Sequence, residues 1–372
     1  MKNINIQELL GERGQSCLSI LLPTHRLAPE RRTDIIETKK AILKAIEFIL
    51  FKYPEIKKHE SLLTSLDELT EQIDFTHNDR GIGIFISPRF KHLVKFPFPV
   101  KKKIILSNSF ELRDLLYSQY YVTPYYLLHL SEKIIRLYEG LLNNLKEIKD
   151  DFFPYRIIDN YEYAPPSRAQ SIGGHATLQS MEKDKSILEK IRFRDVFHHA
   201  DLHLNRYLTP TVPLIVCGTK NEIGLFKKIN NHLSHQAGTI TGNYTYQGLS
   251  QLGDKAWTKM KSYLEKNKAR IFEEFQEKIG RGLADEGLEP VWKAAKAGKG
   301  MTLLMEKDFM KPAFVGAQDY HLYLKPPPER HTVISDVVDD IAETVLDKNG
   351  KVIIFENGSL DNYGRIGLIN RY

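Results

Sequence analysis

Apolar residues in this chain fall into two arrangements: short unbroken runs, and positions recurring every three or four residues. Unbroken runs mark buried strands, and the recurrences mark helix faces. Cys17-Leu-Ser-Ile-Leu-Leu-Pro23 is the first run, read as a buried strand closed by proline. A polar loop covers Thr24 to Arg32. Ile35, Ile36, Ala41, Ile42, Ala45, Ile46 and Ile49 then recur at helical spacing, with Lys39, Lys40 and Lys44 on other faces. A second helix fits Glu60 to Ile73. Gly81-Ile-Gly-Ile-Phe-Ile-Ser87 predicts a strand, and Phe90 to Leu106 one or two more, interrupted at Pro97 and Pro99. Phe110 to Tyr117 reads as a short helix.

A second unit opens near Thr123-Pro124. Tyr125 to Ser131 and Lys133 to Glu139, parted by a tight polar break, predict a β-hairpin. A long helix is expected from Lys183 to Leu208, with Phe193, Phe197, Ala200, Leu204 and Tyr207 as its apolar stripe. Pro210 and Pro213 end it. Val212 to Gly218 is a buried strand, expected to be central and parallel to a neighbour. Asn221 to Asn230 is a helix, and Gly238 to Tyr246 an edge strand. A linking helix follows from Asp254, its expected N-cap, to Ile279, with Gly280 or Gly282 closing it.

The last third alternates helix and strand. Leu288 to Ala297 and Val333 to Leu346 read as helices, and Met301 to Met305, Lys351 to Phe355 and Ile366 to Ile369 as strands. Lys311 to Arg330 is a proline-rich excursion. The pattern predicts a multidomain α/β chain: an N-terminal α+β domain over 1–120, a middle domain over 121–250, and a C-terminal α/β sandwich over 255–372 that includes the linking helix. No repeat at solenoid spacing is present.

Composition narrows the setting more than the chemistry. At 372 residues, 42% hydrophobic and 27% charged, the chain is expected to be soluble and to exceed one core. Its formal charge of +6 is compatible with an RNA or ribosome partner. Cys17 and Cys217 both lie in apolar runs, which reads as small core residues in a reducing cytoplasm. Neither a signal peptide nor a membrane span is expected.

Three constellations could carry chemistry. Gly173-Gly174-His175 sits in a polar, extended stretch ahead of the long helix. Paired glycines open backbone conformations closed to other residues, and the histidine titrates near neutral pH. His199 and His203, four apart on one helix face, have a spacing that suits zinc, although no glutamate base lies between them and no third ligand is evident. His199 lies well outside the apolar stripe and His203 at its border, and the pattern favours a solvated or domain-facing polar face over a metal site. Arg168, Lys183, Lys185 and Arg192 around the loop, and the run Lys101, Lys102 and Lys103, could meet RNA phosphates. The neighbouring acids Glu182, Asp184, Glu189 and Asp195 favour a solvated, salt-bridged helix face instead, and the lysine run reads as an exposed strand end. No phosphate-binding loop, dinucleotide fingerprint or Cys-x-x-Cys pair occurs, so no cofactor is expected.

The order of these features resembles the superfamily of archaeo-eukaryotic class-one release factors and Pelota, and within it the bacterial archaeo-eukaryotic release factors, family 3. Three stretches carry the resemblance. A hairpin leads to the Gly-Gly loop, a long helix and Pro213-Leu-Ile-Val-Cys-Gly218. A long helix ends in Phe275 to Ile279 and is followed by a helix ending Ala294-Ala-Lys-Ala-Gly298. The terminal segment is Gly364-Arg-Ile-Gly-Leu-Ile-Asn-Arg-Tyr372.

The resemblance implies a ribonuclease-H-like middle domain and a C-terminal α/β/α sandwich like that of kink-turn-binding ribosomal proteins. It implies a ribosome- and tRNA-associated translation factor acting in rescue, hibernation or quality control. The tRNA acceptor end would be its partner, and a translational GTPase is a candidate partner. If the chain is an enzyme, it would hydrolyse the peptidyl-tRNA ester, with Gly173, Gly174 and His175 as the loop. His175 stands where release factors carry glutamine, and no Asn-Ile-Lys-Ser motif occurs in the first 120 residues, so stop-codon reading is not expected. The alternatives are a stand-alone hydrolase or nuclease using the histidine-bearing helix, and a non-catalytic binding protein.

Overall fold

The computed structural model describes residues 6–14, 16–25, 29–52, 56–76, 78–131, 133–156, 193–245, 248–316 and 321–372. By compactness the chain divides into two units: residues 1–120 together with 270–372, and residues 121–269.

After a short helix α1 (Ile6–Leu10), the first 120 residues build one antiparallel sheet. Its strands are β1 (Cys17–Pro23), β2 (Gly81–Ile86), β3 (Lys91–Phe96) and β4 (Lys103–Ser107), in the order β3-β2-β1-β4. Alternate residues of a strand point to opposite faces, and here both faces are covered. Leu18, Ile20 and Leu22 pack with Ala41, Ala45 and Ile49 of α2 (Glu30–Lys52) and with Leu62 and Leu66 of α3 (Ile56–Glu71). Cys17 and Leu21 face the other way, into a core shared with Leu115 and Leu116 of α4 (Arg113–Tyr121).

The second unit holds β5 (Tyr125–His129), β6 (Ile134–Leu141), β7 (Asn144–Glu147), the short β8 (Tyr155–Arg156), β9 (Leu214–Gly218) and β10 (Gln236–Thr241). The sheet runs β10-β9-β5-β6-β7, with β8 paired to β6. The expected hairpin is β5 and β6, and β9 is the expected central strand, parallel to both β5 and β10. Of the long helix expected from Lys183, the described part is α5, residues 193–204. Its stripe lands as expected, with Phe197, Ala200 and Leu204 buried against Leu128, Leu137, Leu214 and Val216. Helix α6 (Lys220–Lys227) follows β9, capped reciprocally by Thr219 and Glu222.

Helix α7 (Leu249–Gly280) starts earlier than expected, so Asp254 lies inside it and accepts a hydrogen bond from Asn143 Nδ2 at 2.8 Å. From Arg270 onward α7 belongs with the first unit. There β11 (Ala284–Glu286), α8 (Leu288–Lys296), β12 (Gly300–Glu306), β13 (Ala313–Gly316), β14 (Leu322–Tyr323), β15 (His331–Ile334), α9 (Val337–Asp347), β16 (Lys351–Phe355) and β17 (Ile366–Asn370) follow. The main sheet is β11-β17-β12-β16, and the proline-rich excursion contributes a small sheet, β14-β13-β15.

Both faces of that main sheet are buried. Leu303, Met305, Ile354 and Leu368 meet α8 and α9 through Val291, Val338 and Ile341. Leu304, Ile353 and Ile369 meet α7 through Phe275. Gly367 lets the helix approach: a Cβ there would lie 2.2 Å from the Phe275 ring. Residues Val333 and Ile334, expected in a helix, belong to β15, because Asp336 caps α9 by accepting from Val338 N–H at 3.1 Å. The first core is continuous across this unit, joining Cys17, Leu21 and Leu115 to Val291, Val338 and Ile341. The chain is thus a multidomain α/β protein. Among the described residues no helix is long and apolar enough to cross a membrane.

Candidate functional site

Gly173, Gly174 and His175, with Arg168, Lys183, Lys185 and Arg192, lie outside the described residues. The flanking residues are described, and they form a definite surface on the second unit. Asp150 organises a turn by accepting from the amides of Phe152 and Phe153, both at 2.9 Å. Tyr207, just past α5, donates its hydroxyl to the same carboxylate. These hydrogen bonds, that from Tyr207 foremost, hold the Asp150 carboxyl below its usual range.

The turn sets Phe152 and Tyr155 against the histidines of α5. The His203 ring lies 4.9 Å from Phe152 and 5.8 Å from Tyr155, and His199 stacks on Tyr155 at 6.4 Å. Arg206 also stands over Phe152, its guanidinium 4.1 Å from the ring centroid. Burial lowers the His203 pKa, and His199 adds to the effect. The histidine pair is thus engaged by aromatic rings. Among the described residues no group of three or more His, Cys, Asp or Glu side chains could hold a metal ion.

Asp201, between the two histidines in sequence, points the other way. It is 1% exposed and accepts from Asn231 through the backbone N–H at 3.3 Å and Nδ2 at 2.7 Å. Its carbonyl lies 3.1 Å from His232 Nε2. This fastens α5 to the turn after α6, so the His-His-Ala-Asp-Leu-His segment is part anchor and part exposed aromatic surface.

A second feature escaped the sequence reading. Chain direction diverges between β5, which continues to β6, and β9, which continues to α6 and β10. Open α/β sheets bind ligands at the carboxyl ends of strands at such a divergence. Here that edge carries a cavity of about 220 Å³ lined by His129, Ser131, Lys133, Thr219, Glu222 and Asn243, among others. Glu222 accepts from Thr219 N–H at 2.6 Å, which fixes the loop at the mouth. His129 is buried, and desolvation, aided by Arg136, pushes its pKa down to about 4. The ring is therefore neutral at physiological pH and a weak base. The Thr219-x-x-Glu222 capping signature was the sequence signal for this edge.

The lysine run lies in the other unit, and its members differ. Lys101 and Lys102 are exposed and pair with Asp308 at 2.6 Å and Glu37 at 2.9 Å. Lys103 turns inward to Glu111 at 2.8 Å and Asp114 at 3.2 Å. Both cysteines are free and buried, and desolvation pushes each thiol up to about 12. They are therefore unreactive core residues.

Residues 124–299 match the model of the family described as bacterial archaeo-eukaryotic release factor family 3. The family resemblance read from the sequence is thereby borne out over that segment. No curated protein matches the sequence. Among solved structures, the archaeal translation termination factor aRF1 is 13% identical, with 99% of this chain and 96% of that chain covered and a TM-score of 0.24. Pelota of Archaeoglobus fulgidus is 13% identical, with coverage of 78% and 79% and a TM-score of 0.35. Dom34 of S. cerevisiae, a translation termination-like factor of RNA quality control pathways that interacts with Hbs1, is 12% identical, with coverage of 79% and 74% and a TM-score of 0.40.

Proposed function

We propose that this protein is a ribosome- and tRNA-associated translation factor of the release-factor type, acting in ribosome rescue, hibernation or quality control. The observation that carries this reading is the family match over residues 124–299, which spans the Gly173-Gly174-His175 segment. The strand order β10-β9-β5-β6-β7, with β6 alone antiparallel to the rest, supports a ribonuclease-H-like middle domain. Helices on both faces of β11-β17-β12-β16 support a C-terminal α/β/α sandwich of the kind found in kink-turn-binding ribosomal proteins.

The loop supplies what ester hydrolysis at the tRNA acceptor end requires. Two glycines give the backbone freedom to place an N–H against a developing oxyanion. His175 retains that N–H and adds an imidazole able to accept a proton from water near neutral pH. Lys101 and Lys102 are exposed cations for RNA phosphate, and a translational GTPase is the candidate delivery partner.

Release of peptide from peptidyl-tRNA on ribosomes tests the catalytic part. Wild-type protein releases peptide, and His175→Ala and Gly174→Ala both abolish release. No release by the wild type, or undiminished release by both variants, removes hydrolysis and leaves a binding factor.

A further inference from the structure

Helix α2 buries one face and leaves the opposite face bare. Asp34, Thr38, Ala41, Ala45 and Ile49 are buried toward the sheet. On the far side Ile36, Leu43 and Leu50 recur every seven residues and are 56%, 62% and 45% exposed. Phe51, next to Leu50, is 92% exposed. Seven residues make nearly two helical turns, so Ile36, Leu43 and Leu50 lie on one face over roughly 20 Å. Single exposed apolar residues are ordinary, but apolar residues repeated along one exposed helix face mark an interaction surface.

The stripe is self-complementary about Leu43, with apolar residues at equal distances on either side and opposite charges at equal distances. About Leu43, Ile36 precedes by seven residues and Leu50 follows by seven, and Lys39 precedes by four and Glu47 follows by four. Lys39 and Glu47 are both exposed, and neither forms an ion pair among the described residues. The nearby Glu37, by contrast, is held between Lys40 and Lys102, both at 2.9 Å. A closed two-fold interface requires this self-complementarity.

We propose that the exposed face of α2 binds α2 of a second copy of this chain, antiparallel, with the two-fold axis passing beside Leu43. That axis sets Leu43 against Leu43 of the partner subunit and Ile36 against Leu50 of the partner subunit. It also places Lys39 opposite Glu47 of the partner subunit, twice. A parallel pairing would set Lys39 against Lys39 of the partner subunit, so the charges choose the direction. An RNA partner would leave the apolar stripe unsatisfied and Glu47 opposed to phosphate. The proposal is independent of the ribosomal reading.

Sedimentation velocity of the full chain over a range of concentrations tests it. The wild type forms a concentration-dependent dimer, as expected for an interface built on a single helix pair. Leu43→Asp is monomeric. Lys39→Glu and Glu47→Lys each weaken dimerisation about tenfold or more, by opposing like charges. The double exchange Lys39→Glu with Glu47→Lys restores it. All these positions are exposed, and an unchanged thermal transition at low concentration shows that the variants fold. A wild type that stays monomeric at the highest concentration reached overturns the proposal. So do single charge reversals without effect, or a double exchange that fails to restore the dimer.

Discussion

The guanidinium of Arg113 donates to the carboxylate of Asp339 at 2.6 Å, joining α4 to α9 across more than two hundred residues of sequence. Its Nη2 also reaches Asp336 at 2.7 Å, while its buried Nε and Nη1 have no hydrogen-bond partner among the described residues. Arg113 is 1% exposed, so the ion pairs are scarcely screened by water. The network ties the first 120 residues to the C-terminal segment within one compact unit.

Removing one member of a buried ion cluster leaves its partners charged and unpaired. Arg113→Met is expected to cost about 3–5 kcal/mol in urea unfolding. Adding Asp339→Leu removes one orphaned carboxylate and recovers part of the loss. Asp336 is retained in both variants because it caps α9.

Glu111, beside this cluster, gives stability a pH dependence of unusual sign. Burial, and next the charge of Asp339, push its pKa up from 4.5 to about 7. Between those values the unfolded chain has released a proton that the folded chain keeps. This group therefore destabilises the fold progressively as pH rises from 4.5 to 7, with the full penalty above 7. Glu111→Gln is expected to gain on the wild type by about 1–3 kcal/mol between pH 5 and pH 8. A stability difference that stays flat over that range contradicts the assignment.

Gly367 stands where α7 crosses the C-terminal sheet. An added methyl would meet the Phe275 ring at 2.2 Å, so Gly367→Ala is expected to lower stability. Overpacking of this kind costs about 1–3 kcal/mol. Phe275→Leu in the same chain, by making room, should render the alanine less harmful than it is in the wild type. Additive losses in thermal unfolding would show that the two residues do not meet.

Lys101→Glu with Lys102→Glu is expected to weaken ribosome association at low salt while leaving the thermal transition nearly unchanged, since both side chains are exposed. Lys103→Glu is expected to unfold the protein, because it sets three carboxylates together in the interior. Filter binding and thermal scans of the two variants separate these effects.

Much of this architecture was legible in the sequence where period alone decides. Cys17 to Pro23 forms β1, and of the run Val212 to Gly218 the part from Leu214 forms the buried β9. The stripe through Phe197, Ala200 and Leu204 faces the core as its spacing requires. Local pattern failed where distant partners decide. Lys103 looked like the end of an exposed basic run, but the pleat of β4 turns it toward Glu111 and Asp114. The helix expected from Val333 starts later, because Asp336 offers the cap and Val333 pairs with Phe314 across β13 and β15. His199 and His203 read as a candidate zinc pair, yet aromatic rings engage them and Asp201 between them faces inward to Asn231. The strand-end cavity was hidden because His129 and Thr219, far apart in sequence, meet only once β5 and β9 lie side by side.

Ribosome association is tested by co-sedimentation of the full chain with purified ribosomes through a sucrose cushion. The protein is expected to pellet with ribosomes at low salt and to be progressively released as salt rises, as when basic side chains meet RNA phosphate. Protein that remains in the supernatant at every ribosome concentration, while folded by its thermal transition, contradicts it.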